Sequence, residues 1–220
     1  MNFSPLPRDF YAPSADVVAP ALLGHFLLHR VENQWLGGEI VETEAYLVND
    51  PACHAYVRQT PRNAVMWGDF GFAYVFRIYT NYFCINAVTR PQGFAEAVLI
   101  RAIEPRFGLD GMKRLREVKK EIELTNGPSK LCLALGIDRA QNGLDLTSLE
   151  SNLIIAKNPD CLDFLWNRGE IVRTSRIGLS RATDWPLRWY LGGSKSVSKR
   201  GAAHVGPWEM PGNATELLKT

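Results

Sequence analysis

Two carboxylates set one residue apart are the first chemistry this chain offers. In Ile40-Val41-Glu42-Thr43-Glu44-Ala45-Tyr46 the β-branched residues, bounded by Gly37 and Gly38, predict a strand whose side chains alternate between two faces. Val41, Thr43 and Ala45 then share one face. Ile40, Glu42, Glu44 and Tyr46 share the other, next-but-one side chains lying roughly 6.5 to 7 Å apart. Like charges on one surface repel, and a carboxylate taken out of water needs a donor, a cation or a proton. Groups held that way are where proton-transfer chemistry concentrates. The bland reading of the same residues is an edge strand with two solvated glutamates.

Further candidates lie in segments that must pack beside this strand. Arg101 is the one charge in Ala97-Val98-Leu99-Ile100-Arg101-Ala102-Ile103, whose near-continuous apolar character predicts a central strand, and a guanidinium there calls for a carboxylate or a phosphate. His54 stands in a polar loop over residues 47–70, a length uncommon in a compact domain unless it is functional. Its imidazole can stack, bind a metal or move a proton, or can simply face solvent. Two β-rich runs, 72–79 and 82–88, flank Thr80-Asn81 as a hairpin, with Asn81 suited to a positive φ. Tyr79 and Tyr82 at its tip either pack down or insert into something. Between residues 173 and 200, Arg173, Arg176, Arg181, Arg188, Lys195, Lys199 and Arg200 face only Asp184. Trp185, Trp189, Tyr190 and several Gly and Ser are interleaved with them, a composition that fits contact with a nucleic-acid backbone. These residues admit a sugar hydrolase with Glu42 and Glu44 as acid and base, since such pairs stand roughly 6.5 to 9.5 Å apart in inverting enzymes. They equally admit a nucleic-acid-binding module without catalysis, for which the basic segment suffices.

The elements that must hold these residues are those of one ordinary soluble domain: 220 residues, 46% hydrophobic and 22% charged, enough for one buried core. No apolar run approaches membrane-spanning length, and the N-terminus lacks the basic start and apolar core of a signal peptide. Cys53, Cys84, Cys132 and Cys161 form no Cys-x-x-Cys pair, so reduced thiols in an intracellular compartment are expected. Ser14 caps a short helix that Pro20 shortens and Gly24 stops. A strand over 26–31 pairs with 34–46 across Glu32-Asn33. Helical spacing runs over 109–123, and Gly127-Pro128 opens another helix whose start is a possible anion site. Short strands follow near 153–156, 171–177 and 187–191, and the tail over 206–220 is expected to be loose. His25 and His29 have a zinc-like spacing but no third ligand nearby, so no metal is expected.

Four stretches together carry a resemblance: Val41-Glu42-Thr43-Glu44-Ala45-Tyr46, Arg58-Gln59-Thr60-Pro61-Arg62-Asn63, Tyr79 with Tyr82-Phe83-Cys84-Ile85-Asn86, and Asn126-Gly127-Pro128-Ser129-Lys130-Leu131-Cys132. In order and spacing they resemble the alkyladenine (3-methyladenine) DNA glycosylase family, over roughly residues 15 to 195. The resemblance implies a mixed α/β (α+β) fold, one domain with a curved, largely antiparallel sheet flanked by helices and a protruding β-hairpin. It implies a monofunctional repair enzyme, without lyase activity, that flips alkylated or deaminated purines out of double-stranded DNA and hydrolyses the N-glycosidic bond, leaving an abasic site. On this pattern Glu44 activates the water and Arg101 lies near it. Tyr46 and His54 sandwich the flipped base, Phe76 and Asn86 complete the pocket, and Tyr79 intercalates. Lys130, Lys195, Lys199 and Arg200 are expected on the DNA backbone. Glu42, one pleat from the base, is expected to support the sheet or pair with an arginine. No cofactor, membrane or obligate protein partner is implied, and the expected enzyme is an intracellular monomer, in the cytoplasm or nucleoid if bacterial and the nucleus if eukaryotic. Two departures concern lesion range: Phe76 stands where animal members carry a tyrosine, and Thr80-Asn81 where they carry Gly-Met.

Overall fold

The computed structural model describes residues 3–206; residues 207–220, which make up nearly all of the tail expected to be loose, lie outside the described residues. Over the described residues the architecture is a single α+β domain: an eight-stranded, curled antiparallel sheet with four α-helices. In chain order the elements are α1 (Ala15–Ala21), β1 (Phe26–Val31), β2 (Gln34–Tyr46), β3 (Ala73–Ile78), β4 (Tyr82–Thr89), β5 (Glu96–Phe107), α2 (Leu109–Leu115), α3 (Pro128–Leu135), β6 (Leu153–Ala156), α4 (Cys161–Asn167), β7 (Ile171–Thr174) and β8 (Arg188–Leu191). No helix among the described residues is long and apolar enough to cross a membrane.

β2 is the spine. One edge pairs with β5 along most of its length, while the other edge is shared: its first half pairs with β1 and residues 42–44 pair with β8. The sheet runs β3-β4-β5-β2-β1-β6, with β8 also on β2 and β7 outside β8. Gly37 and Gly38, expected to bound the strand, lie inside it, because β1 and β5 approach too closely for a side chain. A Cβ at Gly38 would lie 1.7 Å from the Glu104 carbonyl oxygen, and one at Gly37 would lie 2.0 Å from that of Leu27.

The expected alternation along β2 holds for Glu42, Glu44 and Tyr46 but not for Ile40. The β2–β5 register steps from Ile40↔Ile103 to Glu42↔Ala102 and then to Thr43↔Ile100. Val41 and Arg101 are thereby skipped, one on each strand, as paired bulges. A bulge exchanges the faces. Leu36 and Ile40 before it, Val41 at it and Ala45 after it all enter the same core cluster, while the acidic residues point the other way.

The helices follow local chemistry with two differences. α3 opens with Pro128 in its first turn and closes on Gly136 at φ 65°, as its sequence predicts. Ser14 occupies the N-cap of α1, but its hydroxyl donates to Asp16, and the free Ala15 N–H is taken by Glu96 Oε2 at 2.9 Å. The expected helix over 109–123 ends at Leu115, and Arg116 is extended. Leu115 is already exposed and the residues after it offer little apolar face to bury, so a longer helix would gain too little packing.

Candidate active site

The acidic face of β2 is fully buried, and its charges are neutralised within the sheet. Glu42 and Glu44 have no exposed surface. Arg101, on β5, bridges them: Nε donates to Glu42 Oε1 at 2.9 Å and Nη1 lies 3.1 Å from Glu44 Oε1. Burial works against the Arg101 charge, but Glu44 and Glu42 overcome it and hold the guanidinium more firmly protonated than usual. Glu42 also accepts from Arg188 Nη1 on β8, and from the N–H and hydroxyl of Ser198, at 2.9, 2.7 and 2.9 Å. Glu44 Oε1 also accepts from Ile177 N at 2.8 Å, and Oε2 accepts from the Tyr46 hydroxyl at 2.9 Å. A carboxylate oxygen offers two lone pairs. Glu44 Oε1 takes one hydrogen bond and the Arg101 ion pair, and Oε2 takes one hydrogen bond and keeps a lone pair.

Over this network lies a cavity of about 620 Å³, within the usual range for a small-ligand site. Tyr46, His54, Phe76, Tyr79, Asn86 and Arg101 line it together, and Glu44 lies immediately behind Tyr46 and Arg101. Tyr46 keeps its phenolic proton, its pKa pushed well up by burial and then by the Glu44 carboxylate. Behind its ring the Arg176 guanidinium lies 4.7 Å from the centroid, itself paired with buried Asp50 and donating to Ala45 O. That clamp also fixes the neighbouring Ile177 N–H on Glu44.

His54 reaches the cavity because its loop is tied off by Asn63, whose Nδ2 donates to His54 O and Arg58 O while Oδ1 accepts from Thr60 N. The segment 58–63 is therefore a loop clasp. Its positioning role has no periodic signal in the sequence. The His54 ring stands edge-on to Phe76 at 4.4 Å, and Nδ1 is 3.0 Å from the Tyr74 hydroxyl. Phe76 lacks a hydroxyl, and the neighbouring one on the same face of β3 comes from Tyr74. Asn86 Nδ2 donates to Tyr74 O at 2.9 Å, which pins the amide plane.

Although His54 stays open to solvent at the cavity mouth, desolvation against these rings and, second, the Arg62 cation push its pKa from 6.5 down to about 4. The imidazole is neutral at neutral pH. An unfolded chain takes up that proton near 6.5, so this group's contribution is complete above 6.5 and declines as pH falls toward 4. His54→Gln should flatten the fall in the unfolding midpoint between pH 6.5 and 4; an unaltered slope would contradict the placement of the ring.

Tyr79 stands at the tip of the β3–β4 hairpin, 85% exposed. The register closes at Ile78↔Tyr82, so the turn is Tyr79-Thr80-Asn81, and the positive φ of 51° falls on Tyr79 rather than on Asn81. That conformation is uncommon for a bulky residue and turns its side chain out of the strand direction.

The basic segment divides. Arg188 and Arg176 are not surface cations; both are buried, on Glu42 and Asp50. Trp189 and Tyr190 are core residues. Lys195, Lys199 and Arg200 are exposed and lie outside the cavity, and Arg200 spends its guanidinium on the carbonyls of Gly192 and Ser194. Lys130 is exposed and donates to Asn126 Oδ1. It adjoins the basic loop, since a Cβ at Gly127 would lie 3.6 Å from Lys130 Cδ and 4.0 Å from Ser198 Cβ. His29, on β1, contacts Leu135 O through Nδ1, and no group of three or more metal-ligating side chains occurs among the described residues.

Residues 9–195 match a family model described as methylpurine-DNA glycosylase (MPG). A protein of Francisella tularensis subsp. tularensis (strain WY96-3418), named "Putative 3-methyladenine DNA glycosylase", is 44% identical over 182 residues, 83% of this chain and 92% of that protein. Proteins of the same name from Carboxydothermus hydrogenoformans and Methanoculleus marisnigri are 47% and 46% identical over 195 residues, 89% of this chain and 99% of each. By class, then, this is a DNA-repair glycosylase. The chain belongs to the methylpurine-DNA glycosylase family.

Proposed function

We propose that the protein flips alkylated or deaminated purines from double-stranded DNA into the aromatic cavity and hydrolyses the N-glycosidic bond with a water activated by Glu44, leaving an abasic site. The observation that carries this reading is the coincidence of Glu44, Arg101 and Tyr46: one carboxylate with a lone pair left on Oε2, behind an aromatic wall of a cavity large enough for a base. A purine in the stack cannot be reached at its glycosidic bond, so it must be extruded at a cost of a few kcal/mol, least for a damaged or mispaired base. Tyr79 is the wedge that fills the gap. Tyr46 and His54 hold the extruded ring, stacking contributing about 1 to 3 kcal/mol per base. The pinned Asn86 amide obstructs the amino group of guanine. The attacking water occupies the free lone pair of Glu44 Oε2 and gives up its proton there as the sugar–base bond breaks. A positively charged alkylpurine departs readily; neutral hypoxanthine needs more assistance.

Glu42 accepts four hydrogen bonds, from Arg101, Arg188 and both the N–H and the hydroxyl of Ser198. This disfavours the paired acid and base of a sugar hydrolase. The reading implies an intracellular monomer that needs neither metal nor cofactor. It also implies a monofunctional enzyme, because no lysine among the described residues lines the cavity and a Schiff base needs an amine poised at the sugar. Duplexes containing hypoxanthine, ethenoadenine or 3-methyladenine, incubated with the protein and heated in alkali, are expected to break at the lesion, and borohydride is expected to trap no protein–DNA adduct. Tight binding without release of any base would leave only a binding module, and a trapped adduct would refute water as the nucleophile.

Lys195 and Lys199 are exposed cations of the 195–200 loop, and unlike the Arg200 guanidinium their ammonium groups are not committed to loop carbonyls. Replacing both by alanine should flatten the slope of log affinity against log salt by up to about 0.9 for each phosphate they neutralise. An unchanged slope would take the loop off the DNA.

A further inference from the structure

Lys195 and Lys199 lie on the same short loop as Ser198, and Ser198 is bonded directly to the carboxylate that carries Arg101. Ser198 donates from its backbone N–H to Glu42 Oε2 at 2.7 Å and from its hydroxyl to Glu42 Oε1 at 2.9 Å. The same hydroxyl lies 3.4 Å from Arg101 Nη2. Each nitrogen of the Arg101 fork thus faces a different group: Nε on Glu42, Nη1 on Glu44, Nη2 on Ser198. Because a guanidinium is planar, three such contacts fix both its position and its plane. On the next residue, the Lys199 carbonyl accepts from Arg188 Nη1 at 2.7 Å, the atom that also donates to Glu42. The loop is held from within by Arg200 on the Gly192 and Ser194 carbonyls. A pull on Lys199 is therefore delivered to Glu42 through two adjacent residues, and from Glu42 to Arg101. Ser198 lies beyond residues 9–195 that match the family model.

We propose that Ser198 is a positioning residue that couples the seating of the 195–200 loop on the DNA backbone to the placement of the Arg101 guanidinium beside Glu44. The inference rests on the reading of Glu44 and Arg101 as the water-activating pair. When the loop is seated, Ser198 holds Glu42 from both its N–H and its hydroxyl, and Glu42 presents Arg101 in the plane that faces the cavity. Without the hydroxyl, Arg101 Nη2 loses its acceptor, and the plane of the fork is held by two contacts, Nε on Glu42 and Nη1 on Glu44, in place of three. Misplacement of a catalytic group by about 1 Å can cost on the order of 100-fold, so a partial loss of alignment is expected to cost about tenfold.

The test uses the full chain and the lesion-containing duplex that the wild-type protein excises best. Ser198→Ala is expected to slow single-turnover excision about tenfold at saturating enzyme, with affinity for a duplex containing a tetrahydrofuran abasic analogue within about twofold. Ser198→Thr, which keeps the hydroxyl, is expected to restore most of the rate. Should Ser198→Ala fail to fold, Ser198→Cys, similar in volume and a weak donor, takes its place with the same expectation. Excision by the alanine or cysteine variant at the wild-type rate would overturn the proposal. So would rate, affinity and thermal midpoint falling together without recovery in Ser198→Thr, which is the pattern of a merely structural residue. A wild-type protein that excises no base from any of the duplexes would instead overturn the underlying reading.

Discussion

Glu44→Gln is expected to lower single-turnover excision by at least the ~100 to 10,000-fold typical of a lost general base, while affinity for an abasic-analogue duplex stays within about threefold. The large effect on rate follows from the one free lone pair on Oε2: an amide placed there cannot take the proton of the attacking water. The small effect on binding follows from the partners. Glutamine keeps a carbonyl oxygen for Ile177 N–H and Arg101, and its amide meets the Tyr46 hydroxyl, which can turn to accept as readily as it now donates. Tyr46 and the cavity wall stay in place, so DNA meets an unaltered surface. Rapid-quench kinetics with enzyme in excess, on a duplex carrying one lesion, measures the first quantity and competition binding the second. A Glu44→Gln protein that excises at the wild-type rate would remove Glu44 from the chemistry.

Glu42→Gln is expected to give the opposite balance, a large loss of stability with a smaller loss of rate. Glu42 is met only by donors on both oxygens: Arg101 and Arg188 and the Ser198 hydroxyl on one, the Ser198 N–H on the other. Whichever way a glutamine is turned, its amide N–H₂ faces another donor, and two buried guanidinium groups are left with Glu44 as the remaining carboxylate of the cluster. Breaking one partner out of a buried ion network costs about 3 to 5 kcal/mol. The loss is read as a lower urea midpoint at unchanged slope. Folded Glu42→Gln protein should retain excision within about tenfold, since Arg101 keeps its contact with Glu44 but loses its alignment from Glu42. Both outcomes reversed, with Glu44→Gln active and Glu42→Gln folded and dead, would exchange the roles of the two carboxylates and move the water to the other side of Arg101.

What can be read from the residues alone is what depends on neighbours in the chain. Strand period puts Glu42, Glu44 and Tyr46 on one face, Pro128 marks the start of α3, and the turn at Glu32-Asn33 sets the β1–β2 register. The α+β class and the largely antiparallel sheet come with the family resemblance. What only the tertiary structure decides is who meets whom across the sheet. The paired bulges at Val41 and Arg101 send Ile40 into the core and Arg101 onto both glutamates, and no local pattern encodes a register step between strands some sixty residues apart. The charge of the 173–200 segment reads as one basic surface, yet Arg176 and Arg188 turn inward because Asp50 and Glu42, distant in sequence, are buried where their charges must be met. Ser198, Asn63 and the Ile177 N–H carry no periodicity and no special side-chain chemistry of their own. They matter because folding brings a donor to a carboxylate or to a loop carbonyl that would otherwise be left unsatisfied, and that requirement exists only once the water has gone.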